Sequence, residues 1–137
     1  MTSTAKASFD ITSWEEEPYD EEEPKLVRGT IRCSYEGDMR GESRWEVLMV
    51  YGTDGTASYV GLERFTGTVG GRSGSVVLRQ TGTFDGSVSR TMWTVLPGSG
   101  TGELRDLRGE GGYSATEGRH VPEARLNYTF GEEPVES

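Results

Sequence analysis

Apolar and polar residues alternate along most of this chain. Residues 7–12 (ASFDIT) and 27–35 (VRGTIRCSY) place an apolar side chain, or a glycine, at every second position. A period of two puts one set of side chains on each face of a β-strand. The 3.6-residue period of an amphipathic helix never persists, because glycine or β-branched residues interrupt each window. The pattern therefore predicts strands with one buried face and no helix of useful length.

Turn signals divide the chain into eight strands. The pairs Asp54-Gly55, Gly70-Gly71 and Asp85-Gly86 supply the positive φ that tight turns need. The predicted strands cover residues 7–12, 27–35, 44–51, 57–69, 73–84, 88–96, 111–116 and 124–130. Short connections between sequential antiparallel strands favour a small closed eight-stranded barrel with its first and last strands adjacent, since closure removes exposed sheet edges. A two-sheet sandwich is the alternative.

Twenty glycines in 137 residues are more than the turns require. Several of them fall inside predicted strands, among them Gly29, Gly61, Gly67, Gly74 and Gly82. Glycine within a strand permits the bends and bulges by which a small sheet curls shut. These positions support closure.

The acidic residues are concentrated in two places within what we predict to be a single domain, residues 1–137. A predicted loop at 15–24 and a tail at 131–137 hold ten of the 23 Asp and Glu residues, so the net charge of −9 is local. The remaining 13 acids face all 14 Lys and Arg residues, which leaves a charge near +1. Nucleic acid and anionic membranes are therefore not expected partners, since both require a concentrated basic surface.

The cysteine and histidine content limits the possible chemistry. Cys33 is the only cysteine, which rules out an internal disulfide and a multi-cysteine metal site in one chain. His120 is the only histidine, and it lies in a predicted polar loop at 116–123, where we expect no carboxylate to orient it. We expect no metal and no cofactor. Because the chain has no long apolar run and its start lacks the pattern of a secretory signal, we expect a cytoplasmic protein.

Four segments of the chain resemble a bacterial family. They are YVGLER at 59–64, GGRSGS at 70–75, PGSGTGEL at 97–104 and LRGEGG at 107–112. Together they resemble domain-of-unknown-function family 3224. The glycine-rich segment at 100–104 is also similar to a turn of dirigent proteins and allene oxide cyclases. That likeness implies a calycin-like barrel of the allene-oxide-cyclase type, which encloses apolar small molecules and often forms oligomers.

Glu63 is the strongest candidate for a catalytic residue. In a regular strand it shares a face with Tyr59 and Phe65, and burial inside a barrel would raise its pKa and suit it to proton transfer. The alternative is an ion pair with a strand arginine, namely Arg64, Arg79 or Arg90. Members of the resembled family often carry Gln-His where this chain has Arg79-Gln80, so Gln80 can only form hydrogen bonds to a ligand.

Three functions from different classes remain open. The leading one is a barrel that binds a small apolar or aromatic molecule, with candidate ligand-binding residues Trp45, Met49, Tyr59, Gln80, Trp93 and Tyr113. A cofactor-independent isomerase or cyclase is the second, since such chemistry needs few catalytic residues. The third is a solid-core barrel that acts only through protein contacts, because the same rings suit a filled core.

The strand at 44–51 also predicts assembly. Leu48 and Val50 lie on the face opposite to Trp45, Val47 and Met49, so both sides of this strand are apolar. A strand that is buried on both faces carries this pattern. We therefore expect a homo-oligomer in which the outer face of this strand is covered.

Overall fold

Eight antiparallel strands in sequence order form a closed barrel in the computed structural model, which describes residues 2–116 and 119–131. The strands are β1 (Ser3–Asp20), β2 (Lys25–Gly37), β3 (Met39–Tyr51), β4 (Ala57–Val69), β5 (Arg72–Phe84), β6 (Ser89–Val95), β7 (Arg108–Ala115) and β8 (His120–Thr129). One 3-10 turn (Gly102–Leu104) lies between β6 and β7. The predicted eight-stranded barrel is thus confirmed.

Pairing between the first and last strands closes the sheet. Ser3 of β1 pairs with Tyr128 of β8, and the ladder continues to Asp10 and His120. This ladder excludes the two-sheet sandwich. Among the residues that the structure describes, no helix is long and apolar enough to cross a membrane.

Alternation along each strand separates a packed interior from a polar outside. On β4, Glu63 and Phe65 are buried, whereas the neighbouring Leu62 and Arg64 are exposed. Aromatic rings fill the middle of the barrel: the ring centroids of Phe9 and Tyr35 are 4.9 Å apart. Edge-on and tilted contacts of this kind add to the stabilisation from burial. The predicted common face of Tyr59, Glu63 and Phe65 is therefore correct.

The two ends of the barrel differ. The 3-10 turn places Leu104, which is fully buried, over the end at which β4 connects to β5. Met39 and Val69 are fully buried at the same end, so that end is closed by packed side chains. The opposite end contains the β3–β4 and β5–β6 turns, and there the interior is not filled.

The first strand differs from the prediction. The acidic residues at 15–20 are not a loop, since β1 runs on to Asp20 and pairs with β2 as far as Leu26. The connection itself is limited to residues 21–24. Past Asp10, β1 pairs with β2 alone and forms an edge of the sheet, while β2 stays paired with β3 as far as Lys25. Of the predicted acidic tail, residues 132–137 lie outside the described residues.

The outer face of β3 and β4 is partly apolar. Leu48, Val50, Val60 and Leu62 are between 38% and 49% exposed. Exposed apolar patches commonly mark protein contacts. We therefore keep the prediction that this face is buried in a homo-oligomer. Static light scattering of the concentrated protein should give a mass above that of one chain, and a strict monomer at high concentration would contradict the expectation.

Candidate functional site

A cavity of about 280 Å³ lies at the unfilled end of the barrel. Its walls combine aliphatic side chains with six aromatic residues, which are Trp14, Trp45, Tyr51, Tyr59, Phe84 and Tyr113. Four residues that the sequence nominated for ligand binding line it: Trp45, Met49, Tyr59 and Tyr113. A larger groove lies on the outer surface beside Arg32, Arg44 and Arg64, but it is more open and more polar. The interior cavity is therefore the better candidate for an apolar ligand.

Tyr59 holds its place on the cavity wall because Gly82 lies beneath it. A Cβ atom at Gly82 would come within 2.3 Å of the Tyr59 ring, so no larger residue fits while the ring stays there. The Tyr59 hydroxyl lies 2.7 Å from Thr91 Oγ1 on β6. Glycine is therefore needed at position 82 for a second reason besides closure of the sheet: it leaves room for the Tyr59 ring.

Glu63 is completely buried in the middle of the barrel. The hydroxyl of Tyr35 donates a hydrogen bond of 2.7 Å to Glu63 Oε2, and Gln80 Nε2 donates to Glu63 Oε1. The β3–β4 register sets Glu63 directly opposite Trp45, whose ring lines the cavity. A buried carboxyl group with two donors therefore lies behind the cavity wall.

Burial raises the pKa of Glu63 from 4.5 to about 7, while nearby hydroxyl, indole and amide donors pull it down. Ser43 Oγ and Trp45 Nε1 are close enough to Glu63 to lower its pKa, but neither makes a hydrogen bond of normal geometry. Gln80 Oε1 is also buried without a partner. Glu63 is thus held in a polar cluster that changes protonation near neutral pH.

The alternative in which Glu63 pairs with an arginine is wrong. Arg64, Arg79 and Arg90 are all exposed on the outside of the barrel. The ion pairs among the described residues do not include Glu63. Strand alternation explains this result, because the inward-facing Glu63 and the arginine next to it in sequence must point to opposite faces.

Two nominated ligand-binding residues, Gln80 and Trp93, do not line the cavity. Trp93 is 1% exposed and lies below the cavity wall, where its ring centroid is 5.6 Å from that of Tyr113. Its indole N–H donates to the Arg125 carbonyl oxygen at 3.1 Å. Gln80 lies opposite Trp93 in the β5–β6 register and binds Glu63. Both residues support the wall rather than form it, and Glu63 is likewise absent from the lining.

Sequence reasoning missed Trp14 and Glu16 at the open end of the cavity. Trp14 Nε1 donates to Glu16 Oε2 at 2.7 Å, and the Tyr51 hydroxyl donates to the same oxygen at 2.8 Å. Burial and this hydrogen bond raise the pKa of Tyr51. Glu16 fell in the segment interpreted as a loop, and Trp14 directly precedes that segment. Tyr35 was also not nominated as a site residue, although its alternation with Ile31 and Cys33 indicated that its side chain points into the barrel.

His120 differs from its prediction in two respects. It begins β8 rather than lying in a loop, and its Nδ1 is 2.7 Å from Asp10 Oδ1 on β1. An orienting carboxylate is therefore present, supplied by the strand that closes the barrel and not by the local sequence. Both side chains are 60% exposed on the outer surface, so the pair takes no part in the interior site.

Metal binding has no cluster of ligands to support it in the described part of the chain. No three His, Cys, Asp or Glu side chains of residues 2–116 and 119–131 come together. Cys33 is buried, and its burial raises the pKa of the thiol, which keeps it protonated. The interior can therefore offer an apolar cavity and one carboxyl cluster.

The fold and the site together define a class of protein: an eight-stranded antiparallel barrel with an aromatic cavity and a buried carboxyl group. The family model described as "Protein of unknown function (DUF3224)" matches residues 5–128. The chain belongs to this family. The family resemblance read from the four sequence segments is thus confirmed.

A solved structure from the same family supports the assignment. It is described as a protein with unknown function from the DUF3224 family of Shewanella oneidensis MR-1. It is 25% identical to this chain with a TM-score of 0.75, and the match covers 96% of this chain and all of that one. No curated protein matches the chain. These findings do not show the likeness to allene oxide cyclases and dirigent proteins.

Proposed function

We propose that this protein binds a small apolar or aromatic molecule inside its barrel. The observation that carries the proposal is the cavity of about 280 Å³, whose lining is mostly aliphatic and aromatic. Ligand pockets usually measure about 300 to 1,000 Å³, so the ligand is small, roughly one or two rings in size. The same walls supply a few hydroxyl groups that could orient it, among them Ser89 and Thr116.

In this proposal the residues act at two depths. Trp45, Met49, Tyr59 and Tyr113 contact the ligand, because their side chains form the wall. Glu63 and Gln80 do not contact the ligand; they help to hold Trp45 and the neighbouring strands in position. Trp93 packs against Tyr113 from below. We therefore treat Glu63, Gln80 and Trp93 as positioning residues.

The isomerase or cyclase hypothesis has less support than simple binding. The pKa of about 7 would suit Glu63 to proton transfer. A general acid or base must come within hydrogen-bond reach of the substrate, however, and Glu63 is not part of the cavity lining. The geometry therefore favours a binding protein.

Calorimetric titration with a neutral aromatic probe tests the proposal. The probe 1-naphthalenemethanol should bind the wild-type protein with one site per chain, and Ala57→Trp should weaken binding about ten-fold or more by filling the cavity. Ser58→Trp is the matched control, because Ser58 is the next residue on β4 and its side chain is exposed. Equal binding by the wild type and Ala57→Trp would contradict the proposed site.

A further inference from the structure

The cavity has a carboxyl group at each end and no basic side chain in its wall. None of its lining residues is Lys, Arg, His, Asp or Glu. At the inner end, Glu63 lies opposite Trp45 in the β3–β4 register. At the open end, Glu16 holds the Trp14 indole and the Tyr51 hydroxyl. The Glu16 carboxylate therefore makes the electrostatic potential at the open end negative, and Glu63 adds to it from the inner end to the extent that it is ionised.

The aromatic lining acts in the same direction. Six aromatic residues face the cavity, and the face of each ring carries the negative part of its quadrupole. Trp and Tyr are the rings that attract cations best, and five of the six are of these two types. A cation enclosed among such rings, away from water, is attracted more strongly than one at an exposed ring.

One basic group lies close to the open end. Lys25 Nζ is 5.7 Å from the centroid of the Tyr51 ring, and Lys25 shares a separate surface pocket with Glu16 and Glu23. Its ammonium group is therefore accompanied by two carboxylates and lies outside the cavity lining. It already shows that a ring of this wall accepts a cation on one face.

From this arrangement we infer that the cavity selects small organic cations, namely ammonium compounds with an apolar or aromatic body. The inference rests on the proposed binding function and specifies the charge of the ligand. The apolar body would replace water in the cavity, and the ammonium group would contact ring faces between the two carboxyl groups. An anion of the same shape would meet the Glu16 carboxylate and find no basic side chain in the wall to pair with it.

Three naphthalene probes of nearly equal shape provide the test. Calorimetric titrations at about pH 8, where Glu63 is mostly ionised and the amine still carries its proton, would compare 1-naphthylmethylammonium, 1-naphthalenemethanol and 1-naphthoate. We expect the ammonium compound to bind about ten-fold more tightly than the alcohol, and 1-naphthoate to bind the most weakly. Equal affinities for the ammonium compound and the alcohol, or tightest binding of 1-naphthoate, would overturn the inference and leave the proposed function intact. Failure of all three probes to bind would contradict both.

The net charge of −9 requires a control, since any cation is attracted to an acidic surface. Surface attraction is largely screened at about 0.5 M salt, whereas interactions inside the cavity are screened much less. The preference for the ammonium compound should therefore persist at high salt and disappear in Ala57→Trp. Loss of the preference at high salt, or its retention in Ala57→Trp, would assign it to the surface and overturn the inference.

The carboxylate at the open end can be tested separately. Glu16→Gln should weaken binding of 1-naphthylmethylammonium roughly three- to ten-fold more than binding of 1-naphthalenemethanol, since the amide oxygen can accept both hydrogen bonds but carries no charge. Glu22→Gln is the control, because it removes an exposed carboxylate of the adjacent connection. Equal effects of the two variants on ammonium binding would show a dependence on net charge alone and contradict a role for the cavity.

Discussion

Replacing Trp93 with alanine should lower the free energy of unfolding by about 4 kcal/mol. Trp93 is 1% exposed, and its ring contacts Tyr35 and Tyr113, with centroids 6.4 Å and 5.6 Å away. The substitution leaves a large empty volume in the middle of the barrel. It also deprives the Arg125 carbonyl oxygen of the indole donor. Lost burial and an incompletely filled cavity both contribute to the cost.

Met92→Ala is the matched control for this effect. Met92 precedes Trp93 on β6, but it is 69% exposed on the outside of the barrel. Its removal should change stability by no more than about 0.5 kcal/mol. Urea unfolding followed by far-ultraviolet circular dichroism would compare the two variants, each with its own folded baseline, since that signal comes mainly from the backbone. Similar stabilities for both variants would contradict the filled interior.

Replacing Glu63 with glutamine should change how stability depends on pH. The pKa of Glu63 rises from 4.5 to about 7 on folding, because the buried carboxylate loses its contact with water. The folded state therefore holds a proton that the unfolded state has released between these two values. The contribution of Glu63 to the free energy of unfolding is fully present below pH 4.5 and is lost as the pH rises through 7. The total change in the free energy of unfolding is roughly 3 kcal/mol.

The amide removes this dependence while keeping most contacts. The oxygen of a glutamine at 63 can accept from Tyr35, and its NH₂ group can donate to Gln80 Oε1, which is buried without a partner, once the Gln80 amide turns over. Relative to the wild type, Glu63→Gln should therefore gain roughly 3 kcal/mol between pH 4.5 and pH 8.

Urea unfolding at a series of pH values would measure this gain. Glu42→Gln is the control, since Glu42 is exposed on the outside of β3. A difference between Glu63→Gln and the wild type that does not change with pH would show that the buried carboxyl group keeps an ordinary pKa.

The alternation of side chains carried most of the fold prediction. On β4 the period of two placed Tyr59, Glu63 and Phe65 on one face, and the structure agrees. The prediction failed on β1, where seven acids and two prolines between 15 and 24 resembled a loop. Backbone pairing with β2 needs no apolar side chains, so the strand continues through exposed acidic residues to Asp20.

The sequence pattern could not predict how deep each residue lies along the barrel axis. Alternation tells which side chains point inward, but the stagger between strands decides which of them share a level. Gln80 and Trp93 point inward as expected, yet they lie below the cavity. The partner of His120 could not be predicted for a related reason. Asp10 is 110 residues away in sequence and becomes a neighbour only when β1 pairs with β8.

Native mass spectrometry of protein purified from its own host tests the central claim most directly. We predict one small molecule bound per chain, with an apolar body and an ionisable amine or fixed positive charge. Ala57→Trp purified in the same way should carry none, while Ser58→Trp should carry the same molecule as the wild type. Binding of a small molecule in the cavity would be contradicted if the wild type, even after equilibration with a small-molecule extract of the host, had the mass of the bare chain, or if Ala57→Trp retained the bound molecule.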